Sequence, residues 1–313
     1  MLRSFFISMS QNKSLRAFSE RSSLGRKMSS RFVAGMTVEE ALAAAEELNK
    51  QGIAATLDSL GESVEDEAHA RASAEIYHRM IDAIAHRKMN ANVSLKLTQM
   101  GMDVQGAEGH EGPALAETIV GELVRHAAEA GTFVRIDMEG TPYTEQTIAM
   151  TERLYHCDGC DKAVGTVLQA YLYRTEKDAE RLLGQGIRIR LCKGAYKEGP
   201  EDAFPAKADV DANYVKLAKR MMTSGVFCGM ATHDEVIVNQ LCAFVKEAGV
   251  DKKAFEFQML YGIRRDLQRK LVGEGFGVRV YIPFGTEWYP YFMRRLAERP
   301  ANVLFLLKNF FKS

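Results

Sequence analysis

The sequence predicts an α/β protein, a (β/α)8 barrel, on three observations. Eight short strand-like runs recur along its 313 residues. Each run is apolar on both faces, the mark of parallel strands covered on both sides. Stretches of helical length and period fill the gaps, and right-handed crossovers around eight such strands can close a barrel. A doubly wound open sheet is the alternative, but no GxGxxG follows the first strand to favour it.

In chain order, Thr37 and Glu40 form a capping-box pattern that opens a helix over "VEEALAAAEELNK", and Gly52 stops it. The strand runs are "IAATLDSL" (53–60), "NVSLKLT" (92–98), "TFVRIDME" (132–139), "VGTVLQAY" (164–171), "IRIRLCKG" (187–194), "VFCGMAT" (226–232), "AFEFQML" (254–260) and "GVRVYIPF" (277–284). Between them lie helical patterns such as "PALAETIVGELVRHAAEA" and "DANYVKLAKRMMTSG". No Pro- or Ser-rich linker interrupts residues 37–313, which therefore read as one barrel domain.

Residues 1–36 differ. They hold seven basic residues, one acid (Glu20) and many serines. Three readings fit this arm: a solvated, partly helical extension, a mitochondrial transit peptide, or an amphipathic segment that touches anionic lipid.

Composition narrows the function. Lys plus Arg and Asp plus Glu number 41 each, so no global field favours nucleic acid. No apolar run approaches the roughly 20 residues that span a bilayer. Five cysteines in a chain of this length suit a reducing compartment rather than a disulfide framework. Cys157-x-x-Cys160 beside His156 lacks the second ligand pair that zinc requires, so no metal is expected. His69, His78, His86 and His126 fall on charge-rich helical stretches and read as surface residues.

Chemistry in such barrels sits at the carboxyl ends of the strands. The polar residues assigned there are Lys96, Asp137, Glu139, Gln169, Arg188, Arg190, Lys193-Gly194-Ala195, Thr232-His233-Asp234, Gln258, Tyr261 and Tyr281. Charges within apolar strands are costly unless paired or used, and several on one rim point to a site. The Lys-Gly-Ala turn would present backbone N–H groups beside a cation, which suits a phosphate. Lys96 or Lys193 could equally be a Schiff-base amine.

"YIPFGTEWYPYFMRRLAERP" (281–300) places six aromatics in positions 281–292, then Arg294 and Arg295. Neighbours on a helix point about 100° apart, so the two arginines cannot share one face. If the helix lies across the barrel mouth, both can still flank one carboxylate, with Glu298 four residues on to hold Arg294. An amphipathic helix with solvated arginines is the plain alternative.

Taken in order, "SLKLT", "VRIDME", "VLQAYLYRTEKD", "IRIRLCKGAY", "ATHD", "FEFQMLYG" and "YIPFGTEWYPYFMRRLAERPAN" resemble the flavin-dependent proline dehydrogenases, particularly the monofunctional bacterial kind. The resemblance covers about residues 37 to 311 and implies a distorted (β/α)8 barrel with extra N-terminal helices and the last helix over the mouth. It implies FAD-dependent oxidation of L-proline to 1-pyrroline-5-carboxylate, with electrons passed to a quinone. Arg294, Arg295 and Lys96 would clamp the proline carboxylate, while Tyr281 and Leu260 pack its ring. Asp137 and Arg190 match the active-site acid and the arginine at the flavin's reactive edge. Gln169, Lys193, Gly194, Ala195, Thr232 and His233 match FAD contacts, with Met138 and Glu298 grouped beside them. Cys192 and Lys197 depart from the family's usual residues. A cytoplasmic protein with peripheral contact at the inner membrane is implied, or a mitochondrial one if the arm is a transit peptide. Two rivals belong to other classes: a Schiff-base aldolase and a non-catalytic binding scaffold.

Overall fold

The structure is a computed structural model that describes residues 31–61, 63–105, 112–289 and 291–293. Eight parallel strands close a barrel in sequence order: β1 (Ala54–Ser59), β2 (Ala91–Leu95), β3 (Val134–Ile136), β4 (Val164–Gln169), β5 (Arg188–Cys192), β6 (Cys228–Ala231), β7 (Phe255–Leu260) and β8 (Gly277–Phe284). β8 pairs with β1 from Ala54↔Arg279 to Ser59↔Phe284 and closes the ring. The (β/α)8 expectation therefore holds.

The helix α1 (Val38–Asn49) precedes β1, and one helix then follows each of the first seven strands. These are α2 (Glu67–His86), α3 (Gly112–Glu129), α4 (Thr141–Tyr155), α5 (Thr175–Gly184), α6 (Lys207–Met222), α7 (Glu235–Ala248) and α8 (Arg265–Gly273). Local chemistry sets their starts. Thr37 Oγ1 accepts the Glu40 N–H at 3.2 Å while the Glu40 carboxylate accepts the Thr37 N–H at 3.0 Å, which is the capping box read from sequence. Asp66 accepts the His69 N–H at 2.8 Å and caps α2 in the same way.

Strand residues alternate in role. Leu57, Val93, Leu95, Ile136, Leu168, Ile189, Leu191, Met230, Phe257, Val280 and Ile282 are buried in the main apolar cluster. Fully burying each such side chain contributes roughly 1.5–3 kcal/mol, so this shell between strands and helices holds the barrel closed. The intervening positions meet across the lumen and carry its polar groups. β3 is shorter than the expected run: the Asp137 N–H still donates to Leu95 O at 2.8 Å, but Glu139 turns away. The Glu139 carboxylate instead accepts the Thr98 N–H at 3.1 Å and the Thr98 hydroxyl at 2.8 Å.

A second apolar cluster joins Phe32, Val33, Leu60, Ile263, Trp288, Tyr289, Tyr291, Phe292 and Met293, with Leu260 packed against it. Leu60, Leu260 and Ile263 follow or end β1 and β7, so this cap lies at the carboxyl end of the barrel. Four of the six crowded aromatics belong to it, and Trp288 meets Phe292 edge-on with centroids 5.6 Å apart. Residues 32–35 are part of this body: the Ala34 N–H donates to Pro283 O at 2.9 Å and the Gly285 N–H to Gly35 O at 3.0 Å. Of the basic N-terminal helical arm expected over residues 1–36, residues 1–30 lie outside the described residues, as do Arg294, Arg295 and Glu298.

Candidate active site

The mouth is organised around one ion pair. Arg190, the third residue of β5, reaches across the lumen from its strand. Its Nη1 donates to Asp137 Oδ1 at 2.8 Å and its Nε to Gln258 Oε1 of β7 at 2.5 Å. Asp137 also accepts from Ser94 Oγ at 2.7 Å and, on Oδ2, from the Tyr281 hydroxyl at 2.7 Å. Four strands thus converge on one carboxylate and its partner, with Arg190 also 5.1 Å from the Tyr281 ring centroid. Burial, reinforced by the Asp137 and Asp58 charges, pushes the Tyr281 hydroxyl well above its ordinary range, so it stays a donor. Three donors thus meet on Asp137 and tie it to Arg190, Ser94 and Tyr281.

Arg190 keeps one capacity unused among the described residues. Its Nη2 is buried and has no partner among the described residues. A buried guanidinium N–H in that condition fits an acceptor atom supplied by a ligand.

The glycine of β6 permits this arrangement. A Cβ on Gly229 would lie 2.3 Å from Gln258 Nε2, so only glycine leaves Gln258 room to hold Arg190.

The second element of the mouth is the turn after β5. Lys193 Nζ is held by Asp211 and lies 3.0 Å from Asp234 Oδ2, the N-cap of α7. Burial opposes ionisation of Asp211 and Asp234, yet the Lys193 hydrogen bonds and charge, joined at Asp211 by those of Lys207, outweigh it and hold both below the usual carboxylate range. Gly194 has φ +117, and a Cβ there would stand 2.3 Å from the Tyr171 ring. The backbone can therefore approach closely and present its amides where a side chain would intrude. Ala195 beyond it is exposed.

The remaining residues assigned from sequence fall as follows. Gln169 is buried and donates to Glu139 O at 3.0 Å. Thr232 is buried, its hydroxyl accepting the Asp234 N–H at 3.1 Å. His233 Nε2 accepts the Leu260 N–H at 2.8 Å, which ties β6 to β7 and leaves the ring proton on Nδ1. Lys96 lies 3.7 Å from buried Asp58. Met138 sits in the main apolar core. Burial, only partly offset by the Arg190 charge, pushes the Cys192 thiol up to about 12, so it is an inert packing group.

One assignment is corrected. Arg188 does not share the mouth with Arg190. It opens β5, pairs in register with Gly165 at the start of β4, and lines a cleft at the opposite end. Two residues along a strand point the same way but lie about 6.6 Å apart along it, enough to move a side chain into a different layer. His78 and His126 are also less exposed than the helical charge pattern implied, with their Nδ1 atoms 2.7 Å apart. The sequence reading missed Ser94, Asp58, Asp211 and Gly229. Polar residues two apart, as in Asn92-Ser94-Lys96 and Glu256-Gln258, were the available signal for lumen positions.

A closed parallel barrel with a buried charged site at the carboxyl ends of its strands defines a (β/α)8-barrel enzyme. The proline dehydrogenase family model matches residues 41–308. The chain is 41% identical over 313 residues to "Proline dehydrogenase 1" of Bacillus subtilis, covering 100% of both chains. It is 41% identical over 285 residues to "Proline dehydrogenase" of Deinococcus radiodurans, covering 91% of this chain and 90% of that one. Proline utilization A from Bdellovibrio bacteriovorus, solved after inactivation by N-propargylglycine, superimposes with a TM-score of 0.80 at 25% identity over 87% of this chain. This chain spans only 32% of that longer protein. The chain belongs to the proline dehydrogenase family, oxidoreductases of proline catabolism.

Proposed function

We propose that the protein oxidises L-proline to 1-pyrroline-5-carboxylate with FAD bound in the barrel mouth and a quinone as electron acceptor, the first step of proline breakdown to glutamate. The observation that carries this reading is the buried Arg190–Asp137 pair with its unpartnered Nη2. The Gly194 turn beside Lys193 supports a phosphate-bearing ligand next to it. Among the described residues, Arg190, Gln169, Lys193, Gly194, Ala195, Thr232 and His233 would hold FAD, with Met138 packing from behind; Glu298, outside the described residues, would be a further contact. When bound, FAD supplies the acceptor for the hydride that leaves proline C5.

The chain's own part is binding, orientation and exclusion of water. Arg294, Arg295 and Lys96 take the substrate carboxylate, while Tyr281 and Leu260 bound its ring. The aromatic cap keeps that space dry. Asp137 holds Arg190 and Tyr281 in register. Proline must lose its ammonium proton before hydride departure, so activity rises with pH on the acidic side.

A Schiff-base lyase is less well supported, because Lys96 and Lys193 both stand against carboxylates as held cations. Transfer to quinone calls for contact with a membrane surface. Among the described residues no helix is long and apolar enough to cross one. We assign that contact to the basic arm within residues 1–36 and to "NVLFLLKNFF" (302–311). The bacterial relatives favour a cytoplasmic setting.

The test is optical. The purified protein should carry flavin absorbance that L-proline bleaches, and a colourless preparation that takes up no FAD would end the reading. Arg294→Ala and Arg295→Ala should each raise the proline KM about 10- to 150-fold, the loss of one charge-assisted contact.

A further inference from the structure

The end of the lumen opposite the mouth opens into a cleft of about 730 Å³. Its lining includes five cations, Lys88, Arg135, Lys162, Arg188 and Arg279, and a single acid, Glu256. That acid is already occupied. It accepts from Arg279 Nε at 2.6 Å and from Gln258 Nε2 at 2.7 Å. Arg279 completes its fork on Ala55 O at 2.6 Å and Asn92 Oδ1 at 2.9 Å.

Arg135 and Arg188 have no such compensation. Among the described residues neither forms an ion pair. Arg135 is 4% exposed, and its Nη1 donates to Thr166 O at 2.9 Å and Arg188 O at 2.7 Å. Its Nε is buried with no partner. Aromatic rings fix both forks without neutralising them: Arg135 lies 4.7 Å from the Phe133 centroid, and Arg188 lies 5.4 Å from Phe133 and 5.7 Å from Phe227. Burial first, then the Arg190 charge, push Arg135 down to about 9; the Glu256 charge opposes the shift and Arg279 adds a smaller push. The carbonyls of the α2 and α3 ends that border the cleft are used internally, Ile84 O by the Met89 N–H at 3.0 Å and Ala127 O by the Thr132 N–H at 2.8 Å. They do not balance the arginines by direct contact.

A buried guanidinium without an anion is costly, and planar forks suit oxyanions. We propose that this floor cleft is a binding site for a small oxyanion carrying two or more negative charges, with Arg188 and Arg135 at its base and Lys88 and Lys162 at its rim.

The test is calorimetric titration of the full-length protein with pyrophosphate and, separately, with citrate. FAD is kept in excess and ionic strength held near the physiological value, so that a loose ion atmosphere contributes little. At least one probe should bind saturably at one site per chain, and the better probe identifies the ligand as phosphate- or carboxylate-bearing. Arg188→Gln should weaken that binding about 10-fold or more. Arg71→Gln, near the opposite end of α2, should leave it unchanged. If Arg188→Gln fails to fold, Lys162→Gln at the exposed rim serves in its place, with a loss of about threefold or more. Absence of saturable binding by both probes, or equal affinity in wild type and the folded cleft variant, would overturn the proposal.

Discussion

The mouth and the floor of the lumen are built from the same residue type and handle its charge in opposite ways. At the mouth, Arg190 has a carboxylate at 2.8 Å, and that carboxylate has two further donors. At the floor, Arg135 is equally buried yet leans on carbonyls and a ring. Glu256 and Gln258 connect the two layers, from Arg279 through Glu256 and Gln258 to Arg190. The difference teaches that burial alone does not fix what an arginine is for. The partner set does. A paired arginine rigidifies its layer, while an unpaired one stores an unfavourable charge that a ligand can relieve.

Breaking the comparison should have its largest effect at the ion pair. Arg190→Met leaves the part-buried Asp137 carboxylate with only its two neutral donors and should cost about 3 kcal/mol in stability. Arg135→Met removes a charge that has no anion and should change stability by about 1 kcal/mol or less. Urea unfolding of both variants measures this, and equal losses would erase the distinction between the layers.

Backbone tolerance should differ next. Gly194→Ala at the mouth meets both a positive φ and the Tyr171 ring, and should cost about 1–3 kcal/mol with weaker retention of FAD. Gly131→Ala beside the floor cleft has φ +67 and open space within 4 Å, so only the conformational penalty of about 1 kcal/mol applies. Thermal melts with and without added FAD separate the two, and a Gly194→Ala variant that melts and loads like wild type would count against the close approach.

The smallest effect concerns acid. Asp211 and Asp234 have depressed pKa values, so their stabilising contribution is present above the ordinary carboxylate pKa of about 4 and is lost as pH falls through the folded values. Lys193→Met should therefore flatten the fall of melting temperature below about pH 4, whereas Arg188→Gln should not. Parallel acid limbs in wild type and Lys193→Met would refute the clamp.

Much of this was legible beforehand because strand periodicity is a local signal. The eight runs and the capping box at Thr37 follow from spacing, which also puts Arg190 and Tyr281 on strands, while their place in a site comes from the family resemblance. Arg188 was misplaced because spacing gives the face of a strand but not the depth along it, and depth depends on how each strand is staggered against its neighbours. Asp58, Asp211 and Asp234 stand 18 to 41 residues from the lysines they hold, and their partnerships with Lys96 and Lys193 arise only when neighbouring strand–helix units pack together. The aromatic crowding at 281–292 is visible in the sequence, yet the partners of its rings in the cap, Phe32 and Val33, lie at the other end of the chain.

Gly229 carries a consequence for anyone redesigning this barrel. It sits in β6, far in sequence from Arg190, and contributes no side chain to the lumen. Add a methyl and Gln258 must swing aside, releasing the guanidinium it steers and, one step further down, Glu256. A change that looks conservative would thus unlatch both storeys of the lumen at once, so residues 229 and 258 should be varied only as a pair.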